Sequence, residues 1–284
     1  MTSGQWTAPE WEDRLRRAGL NAATDLLDRA PDQLSLAGTC ELLSKPGLAE
    51  RQRWRWTLPE GDAVLYIKRY GRAPSRMQWD RIVRQSSRHS RGWWEHTQGK
   101  RLAGAYVPAA GAVACAERMN GLIEQRSVVV LAAVAGDGLD RVWTRLSAEG
   151  APLTRGLARH DLAVRLGRFV SAFHQTGLCH RDLYLCHVFA ELDPAGTRPP
   201  TFTLIDLART FQPRLRRTRW LLKDLAQLDC SARQVGVYRT DRLRCLRAYL
   251  GLQTRAARLR WYARRVLRRS DAILRRIARK SALA

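Results

Sequence analysis

HQTGLCHRDLYLCH, residues 174–187, gathers three of the chain's six histidines and two of its six cysteines around one aspartate, Asp182. Cys179, His180, Cys186 and His187 are four potential zinc ligands, but they come as two adjacent pairs. Adjacent side chains in an extended segment point to opposite sides, so four such groups seldom converge, and the usual C-x-x-C half-site is absent. Nothing nearby in sequence polarises Cys179 or Cys186 as a nucleophile; small buried thiols are the simpler reading. Asp182 is left as the residue with chemistry to do.

The elements around it follow from periodicity. Upstream, LARHDLAVRLGRFVSAFH (157–174) has apolar residues at 162, 166, 169, 170 and 173, the period of a helix. Downstream come a polar turn, DPAGTRPP (193–200), and a strand, TFTLID, that ends on Asp206. From Trp220 onward the chain is helical in character.

The N-terminal half has another rhythm. Residues 11–30 read as a short helix and 31–50 as irregular. RWRWTL (53–58) and AVLYIKRY (63–70) alternate on either side of the turn signal PEGD, predicting a hairpin with Lys68 near the end of its second strand. From Arg76 to about Leu102 a basic stretch interspersed with Trp79, Ile82, Val83, Trp93 and Trp94 reads as helix in one or two pieces. AVACAERM (112–119) and SVVVLAAV (127–134) are apolar strands around NGLIEQ. The pattern predicts an α+β architecture in two lobes: a β-rich lobe with one principal helix over 1–136, and a mainly helical lobe over 137–284.

Asp182 just after a helix, Asp206 at the end of a strand and Lys68 on a strand of the other lobe suit nucleotide-dependent phosphoryl transfer. A lysine holds the α- and β-phosphates, one aspartate holds Mg²⁺, and the other orients the attacking hydroxyl and takes its proton. Taken singly, Lys68 reads as a solvated strand lysine and each aspartate as a turn or cap residue. Their order and placement together favour the chemistry.

The stretch from about 60 to 230 resembles the protein-kinase-like fold and, within it, the lipopolysaccharide core heptose and Kdo kinases. HRDLYLCH is similar to the family's catalytic loop, IDLAR to its variant of D-F-G, and YIKRY to the strand with the nucleotide-binding lysine. The resemblance implies a catalytic set of Asp182, Lys68 and His180, the histidine as a backbone-bracing member. It implies nucleotide and cofactor contacts from Lys68, Glu95, Asp206 and His187, with ATP and Mg²⁺ as cofactors and Asp206 and His187 on the metal side. Glu95 is the choice to pair with Lys68; Glu117 reads as a neighbouring or surface acid. RRTRWLLKDLAQLDCSA places Asp224 as a structural aspartate under the catalytic loop, and His174 reads as structural. His187 stands where ordinary protein kinases have a metal-binding asparagine, and Mg²⁺ prefers oxygen. A glycine-rich hairpin over the phosphates is missing: CELLSKPGLAERQRWRW has only Gly47, so Lys45, Arg51 or Arg53 could substitute by charge.

Charge fits the substrate that the resemblance implies. Fifty Lys and Arg against 26 Asp and Glu give a formal net charge of +24 and adhesion to polyanions. Residues 250–284 hold eleven of the basic residues and one acid, Asp271, and Leu259, Tyr262, Val266, Ile273 and Ile277 can share one helix face. The resemblance implies an acidic glycolipid substrate, the lipopolysaccharide inner core, with peripheral contact to an anionic inner-membrane surface on its cytoplasmic side. No signal-like N-terminus is read, and SVVVLAAVAG is too short to span a bilayer. A nucleic-acid module would explain the charge without requiring Lys68, Asp182 and Asp206. A kinase-like phosphotransferase for another small molecule or a protein, or an inactive scaffold, is the competing reading.

Overall fold

The computed structural model describes residues 1–43, 50–61 and 63–282. The chain divides into two compact units: residues 1–104, 109–134 and 206–210 form the first, and residues 105–108, 135–205 and 211–284 the second.

In the first unit the order is β1 (Thr2–Thr7), α1 (Pro9–Arg17), α2 (Asp25–Asp28), β2 (Thr39–Leu42), β3 (Arg51–Thr57), β4 (Val64–Tyr70), α3 (Ser75–Arg84), α4 (Arg91–Gly104), β5 (Ala112–Asn120) and β6 (Ile123–Ala132). Among the described residues the strands make one antiparallel sheet, β1-β5-β6-β4-β3-β2. The expected hairpin is β3–β4, with Arg53 opposite Lys68 and Arg51 opposite Tyr70.

Alternation sorts the sheet's two faces. Trp54, Trp56, Leu65, Ile67, Val128 and Val130 point to one side and bury Leu15, Leu26 and Leu27 from the N-terminal segment. Tyr70, Cys115, Val129 and Leu131 point to the other, with Ala208 among them. Helix α4 packs on β5 and β6. Gly92 permits that approach, since a Cβ there would sit 3.0 Å from the Val128 carbonyl oxygen and 3.2 Å from Ser127 Oγ.

Two local expectations change. The helix read over 11–30 stops at Arg17, where Gly19 turns the chain with φ +88°, and resumes as the single turn α2. Strands β1 and β2 lie in stretches that were not read as strand. TSGQWT and TCEL carry little apolar alternation, and their pairing with β5 and β3 supplies what their own sequence lacks.

The second unit runs β7 (Asp137–Gly138), α5 (Leu139–Ala148), α6 (Gly156–Gln175), β8 (Val188–Glu191), β9 (Thr201–Leu204), α7 (Arg217–Gln234), α8 (Arg239–Leu250) and α9 (Ala256–Ser281). Strands β7, β8 and β9 form a small antiparallel sheet, and the DPAGTRPP turn joins β8 to β9. Helix α6 packs on α8, and α7 on α9. Helix α9 buries Val266 and Ser270 and half-buries Leu259, Tyr262 and Ile273, whereas Ile277 is 36% exposed and leaves the shared face. Arg233 of α7 ties the helix down, donating to Asp271 Oδ1 at 2.6 Å and to Ser270 Oγ at 3.3 Å.

Candidate active site

The first unit gathers Lys68, Glu95 and Asp206. Lys68 is the fifth residue of β4, on the sheet face that carries α4, and Glu95 is the fifth residue of α4. Lys68 Nζ lies 2.6 Å from Glu95 Oε1 and 3.0 Å from Asp206 Oδ1. Side-chain exposures of 9%, 1% and 17% make this a largely dry ion cluster. Such charges persist away from water only when paired and hydrogen-bonded. Tyr70 Oη, 3.3 Å from Glu95 Oε2, donates a further hydrogen bond to that carboxylate. Burial, reinforced by the Glu95 charge, holds this phenol well above its ordinary pKa, so it remains a donor.

The same helix anchors the segment that carries Asp206. Leu207 N donates to Glu95 Oε1 at 3.2 Å, Trp94 Nε1 to the Thr210 carbonyl at 2.8 Å, and Gln85 Nε2 to the Ala208 carbonyl at 2.6 Å. Asp206 itself has φ +59° and ψ +56°, a left-handed conformation that aspartate tolerates better than most residues. Two further cations meet it: Arg51 Nη2 donates to Oδ1 at 2.9 Å and Arg53 Nη2 to Oδ2 at 3.2 Å. Lys45 and Gly47 lie outside the described residues.

The second unit builds the loop around Asp182. Backbone N–H groups of His180 and Arg181 donate to Asp224 Oδ2 at 2.7 Å and Oδ1 at 2.9 Å. Gln227 Oε1 accepts from Leu183 N at 3.3 Å and Ser231 Oγ from Leu185 N at 3.0 Å. Residues 224, 227 and 231 share one face of α7, so a single helix pins alternate residues of the loop. Leu183 and Leu185 are buried, while Asp182, Tyr184 and Cys186, which alternate with them, are half-exposed. Arg181 has φ +72°, costly for a long side chain, and Lys223 Nζ holds its carbonyl at 2.6 Å.

Each histidine has a fixed task. His180, fully buried, donates through Nε2 to the Ile205 carbonyl at 3.0 Å, and Ile205 N donates to the His187 carbonyl, also at 3.0 Å. His187 Nδ1 donates to the Asp182 carbonyl at 2.7 Å, which in the neutral ring puts the lone pair on Nε2. His174 bridges Tyr249 Oη at 3.1 Å and Asp224 Oδ2 at 3.3 Å.

His174, Cys179 and Asp224 bring three metal-capable atoms within 4.8 Å of one another. Both Asp224 oxygens already accept backbone N–H groups, and burial together with the Asp224 charge pushes the Cys179 thiol far up, keeping it protonated. The trio is a brace.

Sequence reading missed several partners. Glu117 is buried rather than a surface acid: Oε2 accepts from Ser90 N at 2.7 Å and Oε1 faces His89 Nδ1 at 2.9 Å, which fixes the entry to α4. Arg51 and Arg53 were read for charge alone, not as partners of Asp206. Gln227 and Ser231 carried a usable signal, the i, i+3, i+7 spacing from Asp224. Tyr70 carried none.

The lipopolysaccharide kinase (Kdo/WaaP) family model matches residues 49–249. A lipopolysaccharide core heptose(I) kinase WaaP of Pseudomonas aeruginosa is 32% identical over 173 residues, which are 58% of this chain and 64% of that protein. The protein of the same name from Escherichia coli (strain K12) is 32% identical over 95 residues, 33% of this chain and 36% of the relative. The chain therefore spans less than two thirds of either curated relative. A solved structure of WaaP in complex with acyl carrier protein superposes with a TM-score of 0.62 at 23% identity, covering 94% of this chain and 99% of that one, a likeness of fold.

Proposed function

Because the chain belongs to the lipopolysaccharide kinase (Kdo/WaaP) family, we propose that it transfers the γ-phosphoryl group of ATP to a heptose or Kdo hydroxyl of the lipopolysaccharide inner core. The observation that carries this reading is the Lys68–Glu95 pair at 2.6 Å, with Asp206 Oδ1 3.0 Å from the same ammonium. A strand lysine fixed by a helix glutamate is the arrangement that active kinases require for gripping nucleotide phosphates.

Roles follow from the chemistry of each group. Lys68, oriented by Glu95, binds the α- and β-phosphates. Asp182 accepts a hydrogen bond from the acceptor hydroxyl, aims its oxygen at the γ-phosphorus and takes its proton as the new O–P bond forms. The bond between the γ-phosphorus and the bridging oxygen breaks, and ADP leaves. His180 and Asp224 act on the backbone at Asp182 and position it.

Asp206 has the hard carboxylate oxygens a divalent cation prefers, and it would hold one in exchange for contacts to Arg51, Arg53 or Lys68. His187 offers Nε2, a softer donor, and is the secondary ligand in this reading. Mg²⁺, when bound, neutralises charge on the β- and γ-oxygens.

No helix among the described residues is long and apolar enough to cross a membrane. The formal charge of +24 supports a peripheral place on an anionic cytoplasmic leaflet, where an acidic glycolipid acceptor would be met. A second reading concerns a partner. The second unit holds an apolar cavity of about 380 Å³ lined by Leu162, Leu166, Leu225, Leu228, Leu246 and Val266. Its size and lining suit an acyl chain, and we propose that an acylated acyl carrier protein docks there. Acylated carrier should bind while the carrier without its acyl group does not; equal binding would reject the cavity's part.

The test of the main reading is phosphate transfer from ATP to dephosphorylated core oligosaccharide, comparing the wild type with Asp182→Asn. Transfer by the wild type with a loss of about 10²-fold or more in the variant is expected. Equal transfer by both removes Asp182 from the mechanism, and transfer only to peptides or unrelated small molecules removes the substrate.

A further inference from the structure

Protein kinases cover nucleotide phosphates with a glycine-rich hairpin, but the segment leading into β3 offers one glycine, Gly47. We propose that Arg51 and Arg53, the first and third residues of β3, form a guanidinium clamp for the β- and γ-phosphates. Side-chain charge thereby replaces the backbone amides of that hairpin. This rests on the kinase reading above and extends it to two residues that the reading does not use.

Alternate residues of a strand face the same way, and the register sets Arg53 opposite Lys68 and Arg51 opposite Tyr70. Both arginines therefore share the sheet face of the phosphate-binding lysine. Both reach Asp206, at 2.9 and 3.2 Å, as does Lys68 at 3.0 Å. Three cations thus face two carboxylates, and the shorter of the Lys68 contacts goes to Glu95. Were the Asp206 oxygens to hold a metal ion, the two guanidiniums would need another anion. The β- and γ-phosphates supply one, with oxygens spaced for forked N–H donors.

The donors are also only partly used. Arg51 Nε and Arg53 Nε are both buried and meet no hydrogen-bond acceptor among the described residues. Each guanidinium spends Nη2 on Asp206, and its fork carries further terminal N–H donors that a phosphate would meet. Side-chain exposures of 18% and 27% leave both groups reachable from solvent. The Tyr70 ring, 5.4 Å from the Arg51 guanidinium carbon, limits that side chain's wandering. A purely structural role would be to hold residues 206–210 against β3, and it predicts no preference among ligands.

The test is calorimetric binding of ATP, ADP and adenosine, with and without Mg²⁺, to the full chain and to Arg51→Ala and Arg53→Ala. ATP affinity should fall roughly 10- to 100-fold in each variant, the range for losing a charge-assisted hydrogen bond. Adenosine affinity should stay at the wild-type value, and Arg53→Lys should recover part of the loss. In turnover, the KM for ATP should rise while the KM for the acceptor holds. Should alanine lower the melting temperature sharply, Arg51→Gln and Arg53→Gln keep chain length and are read instead. If these variants keep the wild-type ratio of ATP to adenosine affinity, the clamp is wrong while the kinase reading stands. If the wild type binds no nucleotide, both fall.

Discussion

Asp224 Oδ2 accepts the backbone N–H of His180 at 2.7 Å from a position with no solvent exposure. Its other oxygen holds Arg181 N at 2.9 Å, so one buried carboxylate fixes the backbone N–H groups of the two residues before Asp182. Replacing Asp224 by Asn removes the charge and turns an NH₂ group toward one of the two N–H donors. The cost should be about 2–4 kcal/mol, that of a charged hydrogen bond lost plus an orphaned donor. Because Asp182 is aimed by this backbone, kcat should fall about 10²-fold while ATP binding is retained. Urea denaturation and a KM-against-kcat comparison check the two halves separately.

Lys68 and Glu95 form a nearly dry ion pair, at 9% and 1% side-chain exposure. Removing one partner leaves an uncompensated charge, so Lys68→Met and Glu95→Leu should each destabilise by about 3–5 kcal/mol. The double variant should be less destabilised than the sum of the singles, with a coupling of at least about 1 kcal/mol. Phosphoryl transfer should be absent from all three. Equilibrium denaturation of the four proteins gives the cycle, and additive losses would mean that the pair is not coupled.

Side-chain period explains what was legible before any coordinates. The alternation of RWRWTL and AVLYIKRY fixed both the β3–β4 hairpin and the face of Lys68, and the apolar spacing of 157–174 gave α6 within a residue or two. Both signals arise because one face of each element is buried. Local pattern fails where tertiary partners supply the structure, as in β1 and β2, which are strands because β5 and β3 lie beside them. The site divides in the same way. Motif order points to Lys68, Asp182 and Asp206, but the reach of Arg51 and Arg53 to Asp206 spans about 150 residues of sequence and leaves no local signal. Glu117 was misjudged because its partners, His89 and Ser90, precede it by a whole helix.

Gly167 sits where α6 meets α8. A Cβ there would lie 2.2 Å from the Cys245 carbonyl oxygen and 2.9 Å from the Ala248 Cβ, both on α8. Alanine is the better helix former, by about 1 kcal/mol over glycine. Backbone cannot yield as a flexible side chain does, so overpacking should win and Gly167→Ala should lose about 1–3 kcal/mol net. Gly104, with nothing within 4 Å of an added Cβ, is the control: Gly104→Ala should be neutral or slightly stabilising. Thermal melts of the two variants decide between propensity and packing.

His96 is buried in α4 against Trp6, with ring centroids 3.9 Å apart, and its Nδ1 meets no acceptor among the described residues. Burial first, and the Lys100 charge second, pull its pKa down from 6.5 to about 4. The unfolded chain therefore takes up a proton as pH falls through 6.5, while the folded chain refuses it until about 4. Since the unfolded state binds more protons across that window, stability must drop as pH falls through it, by about 1–3 kcal/mol from this group. Above pH 6.5 the contribution is constant, because the ring is neutral in both states. His96→Gln should remove this part of the acid slope without touching the part due to carboxylates. Urea midpoints at pH 7.5 and pH 5 for both proteins should therefore differ more in the wild type than in the variant. Equal pH slopes would place the ring in solvent.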